Sequence, residues 1–310
     1  MLVTLNVQRQ AVTRPNGLPV LTAHPSFFQQ WNLPPSETVA VQVGNRQALA
    51  WIRPANHSAK ILQFPPALAN QLLLSDGLLV LVKYSPEKRR LALRPLLGIL
   101  VDQVKPHTAA PFGNITDYCR EVIQEGRKRG CTAFVMEPKG ILLAENEVRG
   151  WTWRDGTWKP EVYPLPDVVY NRIASRSQEK DPQLVKLLAA AQKQAAWHLF
   201  NSAFLDKWQV YQHLAKRGAT RNLLPATTPY REPGELKQWL ERHRLVFLKP
   251  VNGSLGKGIF RVEKEGKGYS YVNSSMPQGT ERRFRTFKQL EQSLAPRLKG
   301  QYLIQQGIPL

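Results

Sequence analysis

Between Leu245 and Glu263 two short apolar runs, Leu245-Val-Phe-Leu-Lys-Pro250 and Ile259-Phe-Arg-Val-Glu263, bracket a loop containing Gly253, Gly256 and Gly258. Short apolar runs bounded by turn residues read as strands, so this stretch predicts a strand, a glycine loop and a second strand. Glycine reaches positive φ without steric cost and lets a ligand approach the backbone, so successive N–H groups can form an anion-binding concavity. A phosphate chain fits that role. The spacing excludes the commoner phosphate loops: a P-loop places Gly-Lys-Ser/Thr at the head of a helix, whereas Lys257 is followed by Gly258 and a strand. The dinucleotide fingerprint Gly-x-Gly-x-x-Gly also fails, and the kinase His-Arg-Asp and Asp-Phe-Gly strings are absent. The competing reading is an ordinary glycine hairpin. Lys249 weighs against it, because it stands inside an apolar strand directly before a proline.

Charge points the same way. The formal net charge of +20 makes anions the expected partners: a nucleotide, nucleic acid or an acidic surface. Residues 181–310 hold 21 basic and 9 acidic side chains, against 11 and 4 in residues 1–105 and 11 and 10 in residues 106–180. The basic residues are scattered singly, and no helix-turn-helix or Arg-rich recognition helix is evident, which argues against nucleic acid. The longest apolar stretches, Leu78 to Val82 and Leu96 to Val101, fall short of the roughly 20 residues of a membrane span. The N-terminus reads as a strand rather than a secretion signal, so the expected compartment is the cytoplasm. Cys119 and Cys131 show neither a Cys-x-x-Cys pair nor a histidine at metal spacing and read as buried thiols, with no disulfide or zinc.

A chain of 310 residues predicts two or three domains. Residues 1–94 form a β-rich domain with a duplication at an offset of 40: Pro25 to Leu33 followed by Thr38 to Val43 matches Pro65 to Leu73 followed by Leu78 to Val82. Each copy reads as a short helix, a turn and a strand pair, and two such halves can bury their apolar faces against each other in a small barrel. Residues 95–180 read as an α/β domain: a buried strand opening at Pro95, a helix capped by Thr116 and running to about Arg129, a strand from Cys131, a Trp-rich hairpin from Ile141 to Trp158, and a strand ending at Asn171 and Arg172. Those two residues would lie at the C-terminal edge of the sheet, a candidate substrate cleft. Residues 181–310 open with a helix capped by Asp181 and running to about Leu199, and a second helix capped by Asp206 with Trp208, Tyr211 and Leu214 on one face. His198, His213 and His243 fall singly on helices and read as structural. Trp197, Trp208 and Trp239 read as core.

A strand lysine followed by a glycine loop between antiparallel strands resembles the ATP-grasp superfamily, and other strings agree. Phe204-Leu-Asp-Lys-Trp208 resembles the first nucleotide lysine at the head of a helix, and Tyr302-Leu-Ile-Gln-Gln-Gly-Ile308 resembles the hinge strand bordering adenine. Together with Leu165-Pro-Asp-Val-Val-Tyr-Asn-Arg172 they resemble the YheC/YheD branch, described as endospore coat-associated. The resemblance covers about residues 95–310. It implies an α/β fold overall, α+β in the ATP-grasp part, with a β-barrel-like domain, a pre-ATP-grasp domain and an incomplete ATP-grasp domain.

It further implies ATP binding by Lys207 and Lys249 at the α and β phosphates, and by Asn252, Gly253, Ser254, Leu255, Gly256 and Gly258 around the β and γ phosphates. Lys257 would add charge at the γ position, and Gln305, Gln306, Gly307 and Ile308 would border the base. The implied activity is ADP-forming ligation of a carboxylate to an amine or similar nucleophile through an acyl phosphate, on a small-molecule or peptide acceptor. Its alternative is a nucleotide-binding or structural spore-coat protein without turnover, with coat proteins as partners. Mg2+ is implied as a cofactor. Because the sequence stops just past the hinge strand, its ligands are expected beyond residue 310, which makes the chain a fragment inactive by itself; inside the chain, Asp167, Glu263 and Glu265 are the carboxylates a metal could use.

Overall fold

A computed structural model describes residues 2–7, 17–253, 255–274 and 280–308. It divides into two compact units, Met1–Phe204 and Leu205–Leu310.

In the first unit seven strands close into a barrel. Residues 20–54 run strand Val20–Ala23, helix Pro25–Trp31, strand Glu37–Val43 and strand Arg46–Pro54; residues 61–94 repeat this as Ile61–Phe64, Pro66–Gln71, Leu79–Ser85 and Arg90–Arg94. Each helix starts on a proline, whose missing N–H is one the first turn would leave unpaired anyway. The halves interleave. Val20–Ala23 runs antiparallel to Ile61–Phe64, and Glu37–Val43 runs parallel to Arg90–Arg94 with Val41 beside Leu91. Leu21, Val41, Ile52, Leu62, Phe64 and Leu68 are wholly buried between them.

The same unit carries a six-stranded sheet in the order Thr157–Pro164, Glu147–Arg154, Thr132–Leu142, Leu96–Leu100, Val168–Asn171 and His198–Phe200. The last four run parallel where they pair, and the Trp-rich segment folds back as an antiparallel ribbon with Trp153 beside Trp158. Helix Thr116–Lys128 sets Cys119 and Ile123 against Ile99, Val101 and Val135 on one face. On the other face Leu96, Leu100, Phe134 and Met136 join the barrel core in one continuous cluster.

The barrel turn at Gly44, Asn45 and Arg46 is keyed to this sheet. Asn45 Oδ1 accepts the Leu165 N–H at 3.0 Å, and Arg46 pairs with Glu147 at 2.7 Å while donating to Gln71 O at 2.9 Å. Two expectations shift. Thr116 lies inside its helix, its hydroxyl accepting from Phe112 N and donating to Gly113 O in the short 3-10 turn before it. The helix capped by Asp181 ends at Ala195, because Ala196 turns left-handed (φ 51°) and Trp197 drops into the core, after which His198–Phe200 is a strand.

The second unit is a fully antiparallel six-stranded sheet in the order Thr227–Tyr230, Tyr302–Gln306, Leu245–Pro250, Phe260–Glu265, Gly268–Asn273 and Arg282–Phe284. The strand, loop, strand reading of residues 245–263 corresponds to its centre. Helices Pro233–His243 and Phe287–Leu294 cover one face through Leu236, Leu240, Leu290 and Leu294, which pack on Val246, Leu248, Val262 and Ile304. Alternation then puts Lys249 on the opposite face from Leu248. Among the described residues no helix is long and apolar enough to cross a membrane.

Candidate functional site

The face of the second sheet that the two helices leave uncovered carries a cavity of about 270 Å³, walled by Leu205, Asp206, Lys207, Val210, Tyr211, Thr227, Lys249, Leu303 and Gln305. Cross-strand register explains the grouping. Phe247 lies beside Gln305, which lies beside Thr227, and Lys249 lies beside Leu303, so these side chains share a face.

Lys249 is half-buried, and that burial, reinforced by the nearby charge of Lys207, pulls its pKa below the ordinary lysine value. Its ammonium donates to Gln305 Oε1 and stands 5.3 Å from the centre of the Phe247 ring. Gln305 in turn donates through Nε2 to Thr227 Oγ1 at 2.8 Å, and the Thr227 hydroxyl donates to Pro225 O at 2.9 Å. The chain of partners fixes which way the Gln305 amide faces.

Lys207 is the first residue of helix Lys207–Ala215, which Asp206 and Gln209 close with a reciprocal capping box. Its Nζ donates to Pro250 O at 2.8 Å and Gly253 O at 2.9 Å, while its backbone N–H donates to Val251 O at 3.2 Å. Lys207 thus staples the helix to the start of the glycine loop. Replacing it with methionine removes two charge-assisted bonds, so amide exchange in residues 250–258 without ligand is expected to accelerate about tenfold or more. Unchanged exchange, followed by mass spectrometry, would show that the loop holds its shape by itself.

Gly256 and Gly258 both adopt φ +73° and Leu255 φ +57°, while Gly253 is at +154°. Ser274 closes the loop base, its hydroxyl donating to Gly256 O at 2.5 Å and accepting from Ile259 N at 3.1 Å. Asn252, Leu255 and Lys257 are exposed, and Ser254 lies outside the described residues.

Of the predicted residues, Lys207, Lys249 and Gln305 share the cavity wall, and Gly253 joins them through Lys207. Gln306 points to the opposite sheet face from Gln305, its Oε1 accepting from Ala226 N at 3.4 Å. The Gly307 N–H donates to Leu245 O at 2.8 Å so closely that a Cβ there would lie 2.2 Å from Leu245 Cγ, and Ile308 is exposed. Val210, Tyr211 and Thr227 were not singled out by the sequence reading. Val210 and Tyr211 follow Lys207 by three and four positions and so share its helix face, a signal masked by grouping Tyr211 with Trp208 as core; the helix buries none of its residues.

In the first unit both ends of the Asn171 amide are engaged, Oδ1 by Ile173 N at 3.0 Å and Nδ2 by Glu179 at 2.8 Å. Arg172 lies against Tyr118 and Tyr170. The carboxylates named for a metal are also partnered: Asp167 accepts from Leu96 N at 2.9 Å, Glu263 pairs with Arg261 at 2.5 Å, and Glu265 accepts from Ser270 at 3.3 Å. Among the described residues no group of three His, Cys, Asp or Glu side chains could hold a metal ion.

Residues 196–310, which contain the whole of this site, match the family model described as YheC/D like ATP-grasp. The similarity to the YheC/D-like ATP-grasp family lies in that segment. The endospore coat-associated protein YheD of Bacillus subtilis (strain 168) is 26% identical over 227 residues, 70% of this chain and 48% of that protein. YheC of the same strain is 20% identical over 173 residues, 55% of this chain and 47% of that protein. The chain thus spans about half the length of these curated relatives. Among solved structures, the ATP-grasp ligase PsnB with precursor peptide PsnA2 and AMPPNP aligns with a TM-score of 0.36 at 13% identity, covering 68% of this chain and 65% of that one. D-alanyl-alanine synthetase A from Vibrio cholerae O1 biovar eltor aligns with a TM-score of 0.32 at 12% identity, covering 69% and 61%.

Proposed function

We infer that the Leu205–Leu310 unit binds ATP and belongs to an ADP-forming ligase that joins a carboxylate to an amine or similar nucleophile. The observation that carries this reading is two ammonium groups, Lys207 and Lys249, on one cavity beside a loop with φ-positive glycines. Lys249 would meet the α and β phosphates. The Gly253 to Gly258 backbone would cover the terminal phosphates, and the apolar walls of Leu205, Val210, Tyr211 and Leu303 offer a face for the base. The match of residues 196–310 to the YheC/D like ATP-grasp family model supports this assignment. Catalysis of this class rests on positioning and charge stabilisation in a water-poor cleft. Mg2+ neutralises charge between the β and γ phosphates in such enzymes; no described residue of this chain is assigned to it.

The deciding experiment is a titration of ATP, ADP and a mixed-sequence DNA duplex at near-physiological salt, because nonspecific DNA binding falls steeply with salt. Saturable ATP binding with no DNA binding is expected, and the reverse would overturn the reading. ADP release with Mg2+ and a carboxylate–amine pair would separate a ligase from a nucleotide-binding spore-coat protein, the role suggested by the names of the relatives.

The lowered Lys249 pKa gives a pH signature. Phosphate favours the protonated amine, so ATP binding is expected to take up protons in alkaline solution, and affinity to decline as pH rises through the depressed pKa rather than the ordinary lysine value. Calorimetry in two buffers of different ionisation enthalpy measures the uptake. A buffer-independent binding enthalpy in that range would remove Lys249 from the phosphate contact.

A further inference from the structure

Arg172 follows strand Val168–Asn171 at the C-terminal end of the parallel strands, its N–H donating to Leu100 O at 2.8 Å. Its guanidinium carbon lies 5.1 Å from the ring centre of Tyr118, on the first turn of helix Thr116–Lys128, and 5.5 Å from that of Tyr170. Phe200 of the adjacent strand stacks on Tyr170 with centroids 4.5 Å apart. Tyr118 and Phe200 keep 39% and 41% of their surface exposed, so the cluster opens to solvent.

The hydrogen bonds in this cluster leave donors over. The Tyr118 hydroxyl donates to Tyr170 Oη at 3.3 Å and Arg172 Nη1 donates to the same oxygen at 3.4 Å. That bond to Tyr170 is the main cause that pushes the Tyr118 pKa up to about 12, so Tyr118 remains a donor at neutral pH. Tyr170 Oη therefore receives two donors, which leaves its own proton for a further acceptor. Arg172 Nε is buried without an acceptor, and among the described residues no carboxylate forms an ion pair with this guanidinium. The neighbouring acids are engaged elsewhere: Asp102 accepts the N–H groups of Ala174 at 2.8 Å and Ser175 at 3.3 Å, and Glu179 accepts from Asn171 at 2.8 Å and Phe204 N at 2.7 Å. The O–H···O bond at 3.3 Å and the N–H···O bond at 3.4 Å are each longer than usual for their kind and can yield to a better acceptor. Surplus donors around an unpaired cation are unfavourable until an anion arrives.

The geometry points to a binding site for an organic carboxylate across the Arg172 guanidinium and the Tyr170 hydroxyl, with the apolar part of the ligand against the exposed rings of Tyr118 and Phe200. One guanidinium and one neutral hydroxyl balance a monoanion, and a planar guanidinium walled by rings matches a planar two-oxygen acceptor. A phosphate dianion would find only part of the charge it needs. Open α/β sheets hold ligands at this end of their strands. All of these residues belong to the first unit, so the site stands independently of the nucleotide reading.

The test is a titration of the nitrogen-15-labelled chain with sodium benzoate, following the arginine Nε–H resonances, where the signal missing from Arg172→Lys identifies Arg172. A saturable shift of that signal is expected. Affinity, followed in the variants through the Phe200 backbone amide, is expected to fall about tenfold or more in Arg172→Gln, the cost of losing a charged hydrogen bond, and by a smaller factor in Tyr170→Phe, which keeps the ring stack. If Arg172→Gln does not fold, Tyr170→Phe carries the test. Lys249→Met is expected to leave the benzoate isotherm unchanged, so failure of ATP binding and failure of this site are separate results. No saturable shift, or equal benzoate affinity in both variants and the parent, would overturn the proposal. Tighter binding of inorganic phosphate than of benzoate would overturn the carboxylate assignment.

Discussion

Lys249→Met is expected to weaken ATP binding about a hundredfold while leaving the melting temperature unchanged or slightly raised. A hydrogen bond to a charged group contributes about 1.5–3 kcal/mol, and the upper end applies where, as here, the amine is half-buried and already partly desolvated. The fold tolerates the change because the ammonium is disfavoured by its own burial, and the methionine keeps the stem that crosses the Phe247 ring. Lys60→Met, an exposed lysine in the other unit, is the control and is expected to alter neither property. Equal losses from both substitutions, measured by calorimetry, would reduce the contact to general attraction by a basic chain.

The largest expected effect on stability is at Gly44, where the barrel turn meets the sheet. The residue adopts φ +53°, and a Cβ there would lie 2.3 Å from Leu165 O, an atom of a backbone that cannot swing aside. Left-handed geometry costs an alanine about 1–2 kcal/mol, and forced overpacking adds about 1–3 kcal/mol. Gly44→Ala is therefore expected to destabilise the first unit by about 2–5 kcal/mol, lowering its melting temperature by something on the order of 10 °C. Gly156→Ala separates the two causes, because Gly156 shares the positive φ (+72°) but has nothing within 4 Å of its would-be Cβ. If both variants melted alike, the turn would not be tightly keyed to the sheet.

The strand, glycine loop and strand between Leu245 and Glu263 were legible because short apolar runs and glycine spacing are local, and Lys249 stood out as a charge inside an apolar run. The repeated barrel halves were legible for a similar reason, as each copy carries its own proline-led helix and apolar strand. The cavity wall was not legible. Gln305, Lys249 and Thr227 meet only through the register of three strands, and which neighbour faces which is fixed by pairing across more than 50 residues of chain. Nothing in the local string separates Gln305 from Gln306, yet one lines the cavity and the other turns away. The helix after Asp181 was overextended because its end carries neither glycine nor proline; Ala196 takes the left-handed turn, and burial of Trp197 decides where the helix stops. The arrangement at Arg172 was equally hidden, since Tyr118 lies 54 positions before Arg172 and comes beside it only through packing of a helix on the sheet.

The interleaving of the barrel halves also sets a timetable for the nascent chain. Strand Leu2–Val7 is made first, but its two neighbours are Ile61–Phe64 and Leu79–Ser85. At a synthesis rate of about 5–20 residues per second, the first strand emerges with no partner for several seconds, and the barrel can close only after Arg94 has cleared the ribosome. During that interval its ladder edge is open to any extended segment nearby. The N-terminal strand thus waits longest for its partners, and in a stalled-ribosome series of increasing length it is expected to gain protection from hydrogen exchange only in chains long enough to expose Ile61–Phe64.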